Sequence, residues 1–176
     1  MPDYRRMFIP GGTWFFTVNL LDRRLSLLVE HIDELRQAFT KTKKQWPFKI
    51  DAIVILPDHL HAILTLPEDD INFSVRWQLI KSHFSKSISH EGTISPSRQR
   101  RKERTVWQRR FWEHYIRDEN DFQQHLDYCY FNPVKHGYVN RVQDWPYSSF
   151  HKDVRDGLIS KDWAGDIGEL KIMGER

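Results

Sequence analysis

Two apolar runs either side of a tight turn constrain this chain more than any other stretch. Lys49 to Leu56 (Lys-Ile-Asp-Ala-Ile-Val-Ile-Leu) is rich in β-branched residues, Pro57-Asp58 turns the chain, and Leu60 to Leu66 is apolar again. The pattern predicts a β-hairpin. Side chains of a strand alternate between faces. Leu60, Ala62, Leu64 and Leu66 then share one face, and His59, His61, Ile63 and Thr65 the other. Helices are expected on the first face. On the second, two imidazoles two residues apart can share a metal ion.

Other elements follow from periodicity. Thr13 to Leu20 reads as a strand. From about Glu30 to Gln45 a helix is expected, with Ile32, Leu35, Phe39 and Trp46 at spacings of three, four and seven and Pro47 ending it. Asn72 or Ser74 caps a second helix running to about Ile88. Trp77, Ile80 and Phe84 are its buried stripe, with Arg76, Lys81, His83 and Lys86 elsewhere. Ser89 to Thr105 lacks apolar periodicity and carries the basic run 98–104, so an exposed, mobile loop is expected. Trp107 to Arg117 contains a fourth strand. Asn120-Asp121-Phe122-Gln123 reads as a capping box opening a third helix, which is predicted to stop near Asn132-Pro133. Gly137 closes a short extra turn, and residues from about Trp145 are expected to wrap the surface as a tail.

The order β-α-β-β-α-β-α predicts an α+β fold of the ferredoxin-like kind. In that fold a βαββαβ antiparallel sheet carries two helices on one face, and the third helix covers the other, where the histidines point. At 176 residues the chain suits a single domain, 1–176, with about 145–176 as its tail.

The lone cysteine, Cys129, excludes an intramolecular disulfide and a cysteine-based zinc cage, and fits a reducing compartment. No segment approaches the ~18 apolar residues of a membrane span, and the opening residues have no apolar signal core. A cytoplasmic protein with no membrane partner is expected. The net charge is only +3, yet basic residues cluster at Arg5-Arg6, Lys41/Lys43/Lys44, Lys81/Lys86, 98–104 and Arg109-Arg110. Arg and Trp interleave at 107–112, which suits phosphate contact and base stacking.

Taken alone, His59-x-His61 is a weak signal. With 9 histidines in 176 residues, chance gives roughly 0.4 such pairs, and histidines hydrogen-bonded near a turn explain it as well. The third helix adds to it. At 100° per residue from Phe122, Leu126, Cys129 and Tyr130 form an apolar arc, while Tyr128 at about 240° and Asn132 at about 280° share a polar stripe with His125. Separately, Tyr128 reads as a residue at the rim of the core and Asn132 as a helix cap. Together, beside a His-x-His strand, they supply a hydroxyl nucleophile and an oxygen ligand one turn apart. Two neutral imidazoles and an amide leave a divalent ion its charge and leave it open positions for phosphate oxygen. Attack by a tyrosine conserves the phosphodiester as a phosphotyrosine ester. Tyr115, in the fourth strand, and Tyr130, on the apolar arc, are competing nucleophiles that do not share the stripe of Asn132.

His59-Leu60-His61 matches the His-hydrophobic-His motif of the HUH endonucleases. Residues 11–20, 56–67, 107–114, 125–137, 145–151 and 162–166 resemble the REP-associated tyrosine transposases, a branch of the IS200/IS605-like single-tyrosine transposases. The resemblance spans nearly the whole chain, although 88–105 is longer than the family leads one to expect. It implies Tyr128 as the nucleophile of a covalent 5′-phosphotyrosine intermediate, with His59, His61 and Asn132 as ligands of Mg2+ or Mn2+. It implies single-stranded DNA as substrate, in palindromic REP hairpins with a 5′ guide tetranucleotide, and a monomer rather than a homodimer. Arg5, Arg6, Lys81, Lys86, Arg109 and Arg110 are the candidate DNA contacts. The alternatives are a non-cleaving nucleic-acid-binding protein of the same fold, and a metallohydrolase that uses water.

Overall fold

The computed structural model describes residues 7–90, 92, 95–101 and 105–165. Arg5, Arg6 and residues 102–104 lie outside the described residues. Four strands form one antiparallel sheet: β1 Thr13–Asn19, β2 Lys49–Ile55, β3 His59–Thr65 and β4 Trp112–Tyr115, in the order β2-β3-β1-β4. The hairpin forms as expected, with β3 in the centre of the sheet. Its partner on the other side is β1, in a register that sets Thr17 opposite His61 and Asn19 opposite His59.

Strand alternation sorts the side chains into two cores. Trp14, Phe16 and Val18 of β1 and Leu60, Ala62 and Leu64 of β3 face the first core. There they pack against α2 (Ile32–Gln45, entered through the short α1, Leu27–Glu30) and α3 (Phe73–Ser87), through Leu35, Phe39, Trp77, Ile80 and Phe84. Phe15, Ala52, Val54 and Ile63 face the second core, built with α5 (Glu119–Lys135). The α+β sandwich is therefore the ferredoxin-like arrangement, with α5 over the histidine face.

Five local expectations need correction. Arg76 of α3 is buried, because its guanidinium ties the carbonyls of Pro47 and Asn72 to the Asp70 carboxylate. The stretch 89–105 is not all loop. Pro96–Arg100 forms a short helix, α4, whose first position suits the fixed φ of proline. The helix α5 starts earlier than the capping box at Asn120 implied: Asp118 is its N-cap and accepts from the Asp121 amide at 2.9 Å. Asp121 reaches back to the Arg117 amide at 3.1 Å, so the reciprocal cap sits two residues upstream of its expected place.

The same helix also runs past Pro133. A proline cannot donate to the Cys129 carbonyl, but the helix needs only two more residues before it closes. The Tyr138 amide donates to the Pro133 carbonyl and the Gly137 amide to the Val134 carbonyl, with Gly137 at φ 74°. That pair of bonds is the left-handed glycine closure of a helix end.

Residues from Trp145 do more than wrap the surface. Trp145 and Phe150 are buried in the second core, the latter at the start of α6 (Phe150–Arg155). Tyr147 and Ser149 exchange backbone hydrogen bonds with Ile55 and Ile53 along the edge of β2. An otherwise open sheet edge is thereby covered.

Candidate active site

The site lies between β3 and α5. A central strand fixes His59 and His61, and both side chains are buried on the second-core face, as alternation requires. Their ring centroids are 5.0 Å apart. The ring of Tyr128 meets that of His61 edge-on at 5.1 Å. Asn132 is one turn further along α5 and fully buried. The sequence thus brings His59, His61, Tyr128 and Asn132 to one layer of the molecule. Phe15 wedges that layer, stacked on His61 at 5.5 Å and edge-on to Tyr128 at 5.9 Å.

Each imidazole is oriented by its neighbours. Thr17 Oγ1 lies 2.8 Å from Nδ1 of His61, and Asp58 Oδ1 lies 2.7 Å from Nδ1 of His59. With Nδ1–H donated to these oxygens, Nε2 is the nitrogen that each ring has for a metal. Arg23 Nη2 is 3.2 Å from the same Nδ1 of His59. A nitrogen that donates to Asp58 cannot also accept, so Arg23 serves Asp58, to which its Nε donates, and Asn19 Oδ1 at 3.1 Å. Burial opposes the ionisation of Asp58. Hydrogen bonds from His59 and Arg23 outweigh it and hold the carboxyl at about 2. Asp58 is therefore a carboxylate throughout the physiological range.

Asn132 tests whether these residues fit a metal. Its Oδ1 and Nδ2 are both buried and have no hydrogen-bond partner among the described residues. A buried unsatisfied polar group costs about 1–3 kcal/mol. Asn132 lies on α5 midway between Tyr128, whose ring meets His61, and His136, whose ring meets His59, and an amide oxygen carrying that cost there has the chemistry of a ligand to a divalent ion. The donor set fits.

Tyr128 is only 4% exposed, but its hydroxyl accepts from Lys135 Nζ at 3.3 Å, and Lys135 is exposed. The ring belongs to the core and the oxygen to its rim. The competing tyrosines stand apart. Tyr115 is on β4 against Trp14, and Tyr130 is buried with its hydroxyl donating to Asp153 at 2.5 Å.

A second group capable of holding a metal lies beyond Phe15. His114 of β4 and Asp121 and His125 of α5 place their ligand atoms within 4.8 Å of one another. Asp121 already accepts from His114 Nε2 and Arg117 Nε, each at 3.0 Å. His125 donates Nδ1–H to the Asp121 carbonyl at 2.7 Å. Burial lowers the His125 pKa, which keeps that ring neutral.

The predicted DNA contacts divide. Arg109 and Arg110 are exposed and follow Gln108, whose amide donates to the Asn19 carbonyl at the His59 end of the sheet. Arg109 Nη2 also donates to Ser97 Oγ at 2.8 Å. Lys81 and Lys86 lie on α3, which packs on the opposite sheet face. Lys81 Nζ donates to the Gln108 carbonyl at 2.9 Å, while Lys86 is exposed in the last turn. Sequence reasoning missed Thr17, Arg23, Asp58, Lys135 and His136, whose ring centroid is 5.1 Å from that of His59. Asp22-Arg23-Arg24 is a short polar stretch, and nothing local announces a partner 35 residues away.

Comparison with known proteins identifies the family. A family model described as "Transposase IS200 like" matches residues 16–128. The chain is 49% identical to the REP-associated tyrosine transposase of Escherichia coli (strain K12) over 176 residues, 100% of this chain and 98% of that one. A Haemophilus influenzae (strain Rd) relative is 48% identical, with 99% of each chain covered. A solved structure of a REP-associated tyrosine transposase bound to a REP hairpin matches with a TM-score of 0.85 at 49% identity, covering 100% of this chain and 98% of that one. The fold and the full-length similarity together place the chain in the REP-associated tyrosine transposase family, among the IS200-like transposases.

Proposed function

We propose that the chain is a metal-dependent single-stranded DNA endonuclease and strand transferase that acts on REP-type hairpins through Tyr128. The observation that carries this reading is the contact of the Tyr128 ring with His61, one helical turn from the buried, unsatisfied amide of Asn132. The hairpin-bound relative supports the choice of DNA. A 5′ guide tetranucleotide as the second recognition element, a cytoplasmic location and a single-domain monomer complete the proposal.

His59, His61 and Asn132 would hold the ion, Mg2+ or Mn2+. When bound, it supplies Lewis-acid charge to a phosphate oxygen. The remaining work falls to side chains. Tyr128 Oη attacks phosphorus, forming a P–O bond to the phenol and breaking the bond to the 3′ oxygen. The phenol proton leaves, and the released 3′ oxygen takes up a proton to become a hydroxyl. One phosphodiester replaces another, so the reverse step can join strands without an external energy source. Lys135 puts a cation beside the phenol oxygen in both directions. Asp58 and Thr17 hold the imidazoles in the tautomer that can bind metal.

The test is incubation with an end-labelled REP-type DNA hairpin and Mn2+, read on a denaturing gel. A protein–DNA adduct that is absent in Tyr128→Phe is expected. Cleavage that persists in Tyr128→Phe without an adduct would mean water is the nucleophile, and binding without cleavage would mean a binding protein.

A further inference from the structure

We propose that Tyr138, with His136 beside it, is a stacking platform for an unpaired nucleobase next to the phosphate at Tyr128. This rests on the reading of Tyr128 as a nucleophile on single-stranded DNA, and extends it to a subsite that reads neither metal nor phosphate.

A line of rings leads away from the histidine pair. The His136 centroid is 5.1 Å from that of His59, and the Tyr138 centroid is 6.1 Å from that of His136 at an interplanar angle of 37°. Tyr138 lies 5.3 Å from Trp145, tilted by 30°. Trp145 is buried and anchored by its Nε1 donating to the Ile55 carbonyl at 3.0 Å. One side of the Tyr138 ring thus has a rigid backing, yet 44% of the residue is exposed. Phe8 and Tyr138 are the two exposed large aromatic residues among the described residues. The turn that leads into Tyr138 also faces open space: a Cβ added at Gly137 would meet no heavy atom within 4 Å apart from its chain neighbours.

The surroundings suit a nucleotide. Arg23 and Asp58 both meet Nδ1 of His59, whose ring adjoins that of His136, so a guanidinium and a carboxylate border the line of rings that ends at Tyr138. An aromatic face with a guanidinium nearby and a phosphate site next door is how single strands are held without base pairing. A bland role for Tyr138 also exists. It follows Gly137 and can supply the apolar contact that closes the end of α5 against Pro133. That role asks only for an apolar side chain, and leucine meets it.

The experiment exploits that difference. Binding of a fluorescein-labelled DNA hairpin with a short single-stranded extension is compared with binding of the same hairpin made blunt. Anisotropy is read in EDTA, so no chemistry intervenes. Tyr138→Leu is expected to weaken binding of the extended hairpin by about 5- to 100-fold, the span of base–aromatic stacking, with blunt-hairpin binding and Tm unchanged. Tyr138→Trp is expected to bind like the unsubstituted protein. The proposal is overturned if Tyr138→Leu binds the extended hairpin normally, if it loses both DNAs equally, or if Tyr138→Trp fails as Leu does. Because the adduct assay is separate, a missing Tyr128 adduct leaves this result standing.

Discussion

Lys135 holds its ammonium 3.3 Å from the phenol oxygen of Tyr128 and 4.9 Å from the centre of its ring. Both residues are on α5, seven apart, so a single rigid helix fixes their separation. Tyrosine is a poor nucleophile and a poor leaving group until its oxygen carries charge. A cation at that oxygen favours the charged form at each end of the reaction. Lys135→Ala is expected to slow adduct formation by up to about 100-fold with hairpin binding little changed, and Lys135→Arg to recover part of the rate. Single-turnover adduct assays would check this. Equal rates in all three proteins would remove Lys135 from the chemistry.

Orientation of the imidazoles predicts a metal phenotype away from the proposed ligands. Thr17→Val and Asp58→Asn are each expected to weaken Mn2+ binding by about 10- to 100-fold in titration calorimetry. His114→Ala is expected to leave it unchanged. The opposite pattern would move the metal to the group formed by His114, Asp121 and His125.

Acid stability should depend on Asp121. Burial disfavours its charge, but His114, the Arg117 amide and the Arg117 side chain prevail and lower its pKa to about 2. A depressed carboxylate contributes stability that is complete above its ordinary value of 3.8 and is lost as pH falls through about 2. Asp121→Asn should therefore lower Tm at neutral pH, and the gap to the unsubstituted protein should narrow between those two values. A gap independent of pH would show that the charge of Asp121 is not what stabilises the cap.

Gly137 tests the end of α5. Its φ of 74° disfavours any residue with a Cβ, although nothing stands within 4 Å of where that Cβ would be. The cost of Gly137→Ala is thus backbone strain alone, about 1 kcal/mol, or a fall in Tm of roughly 2–4 °C. Thermal unfolding would measure it. No change in Tm would mean that the turn relaxes out of the left-handed region.

Strand patterns in this sequence were legible because alternation over β1 and β3 is nearly unbroken. The histidine face and the Tyr128–Asn132 stripe followed from the same two periodicities. Pro133 misled because a proline marks a cost, not a stop. With the helix two residues from its glycine closure, one lost hydrogen bond is outweighed by packing of Tyr130, Phe131 and Val134. Pattern does not single out Asp118, because Asn120 and Asp121 offer the same capping chemistry and only the backbone geometry chooses among them. Trp145 and Phe150 carried an apolar signal, but the need to bury them appears only once the second sheet face is seen to outsize α5. Arg23 and Asp58 meet across 35 residues, a separation at which local pattern is silent.

Tyr128, the proposed nucleophile, is also a brick in the core. Its ring fills space between Phe15 and His61, while the hydroxyl alone reaches the rim. Loss of cutting and loss of folding are therefore separable at this position by one oxygen atom. A lineage that abandons transposition but keeps the scaffold has a single-step route through phenylalanine, whereas a small residue would leave a void beside His61. Among descendants that have gone silent, the replacement found at this position records whether the fold was still being used.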